Sequence, residues 1–114
     1  MKFVFKISSY ALGLLGTIHT VLTPVFYKTF SPAAVWFAGA GLAMIFLGML
    51  NIAAVRVSQR WFFTLCIVAN LVGTGFGILG MIALREFQAI IAVLLLIAVT
   101  IGSIFARIKA KATS

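Results

Sequence analysis

Residues 85–111 read "REFQAIIAVLLLIAVTIGSIFARIKAK", and their reading decides the fold. Between Glu86 and Arg107 there is no charged side chain. The 20 residues from Phe87 to Ala106 match the length a helix rising 1.5 Å per residue needs to cross roughly 30 Å of hydrocarbon. The stretch reads as a membrane span, because lipid forces every backbone N–H and C=O to pair within its own segment and a helix does so. Arg107, Lys109 and Lys111 follow it and are expected to hold that end in the cytoplasm.

Working outward, the same test finds uncharged runs at Ile7 to Tyr27, Ala33 to Val55 and Trp61 to Leu84. Their breaks are short. In "KTFSP", Ser31 reads as an N-cap before Pro32 at the first helical position; "RVSQR" is polar; "RE" is a minimal turn. Sorting the basic residues by side gives Lys2, Lys6, Arg56, Arg60, Arg107, Lys109 and Lys111 against Lys28 and Arg85. That split orients four spans with both termini cytoplasmic. Phe3, Phe5, Trp61, Phe62 and Phe105 then mark the inner boundary, and Tyr27, Phe30, Trp36 and Phe87 the outer one. The expectation is an all-α integral membrane protein of one domain, residues 1–114. It is an antiparallel, up-down-up-down four-helix transmembrane bundle in a cytoplasmic membrane of bacterial type.

Composition agrees and excludes several classes. Apolar residues make up 64% and charged ones 9%, where soluble domains carry about 25% charged. The net charge of +8 does not point to nucleic acid, since the basic residues lie between greasy runs instead of on one solvated face. A lone Cys66 offers neither a disulfide nor a metal cluster. The basic start resembles a signal peptide, but its apolar run is about twice the usual h-region, so the segment is read as a retained first span.

Without a hydrophobic driving force in lipid, helices associate through small residues and interhelical hydrogen bonds. Cys66, Asn70, Gly73, Gly77 and Gly80 recur at helical spacing on the third span, with Gly73 and Gly77 forming a GxxxG pair. Gly13, Gly16, Thr20, Thr23 and Tyr27 do so on the first, and Gly41 and Gly48 lie on the second. These stripes are expected to face one another, in one chain or between copies. The fourth span, bulky over most of its circumference, is expected to face lipid most.

The candidate chemistry begins with His19, the sole histidine. It lies about 18 Å into the first span, a depth at which an ionisable group marks a ligand site, a proton path or a satisfied polar network. Thr23, or the Thr20 carbonyl freed by Pro24, could satisfy the imidazole, and Pro24 should bend that end of the helix. Around the bend Tyr27, Trp36, Lys28, Arg85 and Glu86 would gather. Asn70 is a polar residue at depth, and Met44 lies at a depth similar to that of His19 on the second span. With no paired carboxylates or nucleophile triad in the spans, catalysis is not expected.

Three function classes follow. The leading expectation is a non-enzymatic accessory subunit of a larger membrane complex, or a homo-oligomer, whose partners are the bilayer and other helices. The second is binding of haem, quinone or another lipid-soluble ligand around His19, with Met44 as an axial partner for haem. The third is a dimeric transporter. The length and four-span layout are similar to the small multidrug resistance transporters, which use a glutamate embedded in the first helix, but no acid lies inside a span of this sequence.

Overall fold

The computed structural model describes residues 2–110. Among them the secondary structure is entirely helical: α1 (Lys2–Val21), α2 (Thr23–Phe26), α3 (Pro32–Val57), α4 (Arg60–Leu84) and α5 (Phe87–Lys109). Helices α3, α4 and α5 are each long and apolar enough to cross a membrane. Their lipid-type exterior is visible in the exposed Val72, Phe76, Leu79 and Ile82 of α4 and Leu94 of α5. A water-soluble chain would bury such a continuous apolar surface.

The first span departs from its expected boundaries. In place of one helix over 7–27, α1 starts at Lys2 and ends at Val21, Leu22 forms a turn between the two helices while its N–H still donates to Ile18 O at 3.0 Å, and α2 is a single turn. Pro24 is the cause. It has no N–H for the Thr20 carbonyl, so the chain regains helical bonds only through Val25 and Phe26, which donate to Leu22 O at 2.9 and 3.1 Å. From Ile7 to Val21, α1 offers 15 uncharged residues, about 22 Å of helix, which is short of a full hydrocarbon core without α2.

The other boundaries follow local chemistry. Ser31 caps α3, its Oγ accepting from Ala34 N at 3.2 Å, with Pro32 at the first helical position as expected. Helix α3 ends at Ser58 (φ 55°), whose N–H donates to Ala54 O at 2.8 Å; α4 ends in the same way at Arg85 (φ 52°), donating to Met81 O at 3.0 Å. Each is a left-handed residue that satisfies an orphan carbonyl and reverses the chain.

Two antiparallel pairs result. Helices α1 and α3 meet backbone to backbone: a Cβ built on Gly16 would fall 2.6 Å from Gly41 O, and one on Gly48 would fall 2.8 Å from Ser9 O. Helices α4 and α5 meet through side chains along Thr64–Arg107, Asn70–Ser103 and Thr74–Thr100. The pairs join where Phe5 of α1 packs on Gly102 of α5 and Asn51 of α3 bonds Asn70 of α4. Lys2, Lys6, Arg56, Arg60, Arg107 and Lys109 thus share one end, the basic end. Lys28, Arg85 and Glu86 lie at the other. Lys111 lies outside the described residues.

Two packing expectations are corrected. The tightest backbone approach uses Gly16, Gly41 and Gly48, not the GxxxG pair of α4. Gly73 faces the side chains of Leu47 and Leu96, Gly77 faces those of Leu96 and Val93, and a Cβ on Gly13 or Gly80 would meet nothing within 4 Å. Helix α5 is not the most lipid-exposed span either: 33% of its apolar window is buried against 11% for α4. Gly102 and Ser103 give α5 a small face that admits Phe5 and Asn70, while bulky residues wrap most of α4.

Candidate functional site: a cleft between the two helical pairs

Small residues on three helices leave a hollow where they converge. Ala40 and Ala43 on α3, Gly73, Gly77 and Gly80 on α4, and Ala89 and Ala92 on α5 repeat at three- or four-residue spacing, so each set lines one helix face. The missing side-chain volume appears as a cavity of about 180 Å³ in the half of the molecule nearer Glu86. Leu15, Met44, Leu47, Phe76 and Leu96 complete its greasy walls. It is larger than the roughly 150 Å³ engineered cavity that accepts benzene. Glu86 and Gln88, at the start of α5, are its polar end, and Gln88 Nε2 donates to Glu86 Oε2 at 2.7 Å.

His19 lines this cleft from α1. Its ring stacks on Phe37 with centroids 3.7 Å apart and planes inclined by 20°, which fixes the imidazole orientation. Phe37 is itself braced by Phe26 and Tyr27, at centroid distances of 5.7 and 5.3 Å. The bend at Pro24 makes this possible, because it turns α2 back over Phe37. Nε2 of His19 is buried and has no hydrogen-bond partner among the described residues. A buried, unmet donor or acceptor costs on the order of 1 to 3 kcal/mol, so the site is incomplete as a purely structural network.

Several residues singled out from the sequence take other places. Thr23 does not reach the imidazole; its hydroxyl is 3.5 Å from the His19 carbonyl oxygen, the back-bond of a helical threonine. Trp36 is 75% exposed, on the outer face of α3. Tyr27 lines a separate recess with Phe26, Phe37, Phe87, Glu86 and Gln88. Lys28 and Arg85 are exposed, and of that polar group Glu86 alone lines the cleft. Met44 does share the cleft with His19.

Asn70 belongs to the packed half. Its Oδ1 accepts from Asn51 Nδ2 and its Nδ2 donates to Asn51 Oδ1, both at 2.9 Å, and Nδ2 also lies 3.2 Å from Ser103 Oγ and Val99 O. Both asparagines are fully buried, and their amides are satisfied without a ligand. Sequence reasoning missed Phe37 and Gln88. The signal for the cleft was present in the alanine pairs 40/43 and 89/92 beside the glycines of α4, a shared deficit of volume at one depth.

Comparison with protein-family models, with characterised proteins and with solved structures finds no match to this chain.

Proposed function

We propose that the protein is a four-span membrane bundle, with α1 and α2 together supplying the first crossing and both termini cytoplasmic, that binds a lipid-soluble ligand in the cleft between its helical pairs. One observation carries the reading: an apolar cavity of about 180 Å³ lined in part by His19, whose Nε2 is buried with no partner among the described residues. A ligand with an apolar body and one polar atom complements both features, the body filling the hollow and the polar atom bonding Nε2. The size favours a single substituted ring, as in a quinone head, or a segment of chain, over a porphyrin macrocycle. The clustering of basic residues at the end where both termini lie supports the orientation.

Of the small-residue stripes that argued for a contact subunit or homo-oligomer, Gly16, Gly41 and Gly48 are occupied within the chain. They no longer call for a partner, which moves the weight to ligand binding.

Purification in mild detergent, followed by mass spectrometry of an organic extract, tests the proposal. The expected result is a stoichiometric small molecule that is absent from a folded His19→Ala variant. Equal extracts from both proteins, or no molecule in either, would overturn it.

A further inference from the structure

The opposite end of the molecule holds a second cavity, also of about 180 Å³, which belongs to no part of the ligand cleft. Its walls differ in kind. Phe5, Phe63 and Val55 form an apolar floor, while Lys2 of α1 and Lys109 of α5 stand on the rim with Ser58 from the α3–α4 turn. Arg60 reaches the same rim, its Nη2 donating to the carbonyl of Ala110, a lining residue, at 3.3 Å. That single bond leaves the Arg60 Nε buried and without a partner among the described residues. Arg60 stands beside the cavity, not in its wall, and its guanidinium keeps donors to offer an anion at the rim, since charged donors are costly to bury unpaired.

The surroundings reinforce this. Two helices begin at this end, α1 and α4, and two end there, α3 and α5, so their dipoles offset and the lysines set the sign of the potential. The chain's one acid, Glu86, lies at the far end, so no internal carboxylate competes for the site.

We infer that this cavity binds a phosphate-bearing anion, with Lys2, Lys109 and Arg60 holding the phosphate oxygens and Ser58 donating from the turn. The apolar floor continues from the charged rim, as the glycerol and first acyl carbons of an anionic phospholipid would require. A soluble phosphate monoester would use the rim alone. The site is independent of the His19 cleft, and its failure would leave that reading untouched.

Native mass spectrometry of the whole protein in detergent, with phosphatidylglycerol or phosphatidylcholine added at equal concentration, tests the inference. One phosphatidylglycerol per chain is expected to be retained, with phosphatidylcholine washed away. Lys2→Gln with Lys109→Gln should weaken retention about thirtyfold, from roughly fivefold for each cation at a membrane surface. Both lysines are exposed, so the pair should leave the melting temperature unchanged. Lys28→Gln with Arg85→Gln removes the same charge at the other end and should retain lipid as the parent does. Glycerol 3-phosphate at millimolar concentration separates the sources: displacement of the lipid assigns the site to soluble phosphates, and persistence assigns it to the headgroup. Equal retention of the two lipids, or an equal loss in the far-end variant, would overturn the inference.

Discussion

Toward the basic end Phe5, Leu12, Ala54, Phe63, Cys66 and Val99 close on one another and are essentially buried, while toward Glu86 the same helices part around a hollow walled by glycine and alanine. Both halves use small residues, with opposite results. Where a glycine meets backbone or an aromatic ring, as Gly48 meets Ser9 O and Gly102 meets Phe5, it lets the helices touch. Where small residues face small residues across three helices, as Ala43, Gly80 and Ala89 do, nothing fills the space. A small-residue stripe therefore carries no fixed meaning; the volume of what it faces decides between contact and cavity.

Substitutions at the glycines should break this contrast most sharply. Gly41→Leu places a branched side chain against Thr20 and within 2.9 Å, at Cβ, of Gly16 O. Backbone cannot yield as a side-chain tip can, so α1 and α3 must separate, at a cost of about 3 kcal/mol or more. A large drop in melting temperature in detergent is the expected reading, and an unchanged one would deny the close approach.

Next in size is the polar lock. Asn70→Leu leaves the Asn51 amide buried with only its bond to Leu47 O at 2.8 Å, a loss of about 2 kcal/mol. Adding Asn51→Leu should recover part of that loss, since removing both partners strands neither. No recovery in the double variant would mean that packing, not pairing, holds the two amides.

The smallest effect has the opposite sign. At Gly80 a methyl group meets nothing within 4 Å, so Gly80→Ala should raise stability by about 0.5 to 1 kcal/mol through helix propensity. The same change at Gly48, where Ser9 O lies 2.8 Å from the new Cβ, should lower it. Identical signs at the two positions would erase the distinction between the halves.

How much of this was legible beforehand follows from the range of each cause. Span positions rest on local hydropathy, and the three apolar helices α3, α4 and α5 lie within a few residues of the runs read from sequence. The Ser31 cap and the Pro24 break are equally local. The partners of each face were not legible, because they depend on which helices pair: α4 was credited with the close approach that α1 and α3 make, and α5 with the lipid exposure that α4 has. The site shows the same division. His19 and Met44 were read at one depth and share the cleft, yet Phe37, which fixes the imidazole, lies 18 residues along the chain, and no periodicity announces a ring stacked across two helices.

The reciprocal pair of asparagines also sets the way this molecule can move. A slide of α3 past α4 by one turn, about 5.4 Å, would break both hydrogen bonds between the two amides in a medium that offers no water to replace them. A rotation that keeps Asn51 and Asn70 in contact leaves those bonds whole. The pair therefore behaves as a fulcrum, fixed in register but free to tilt. With the mass of packed aromatic and aliphatic side chains on the basic side of it, the arm free to swing is the other one, so the cleft widens when the Glu86 ends of the two helical pairs splay apart, as a clothes-peg opens at its jaws.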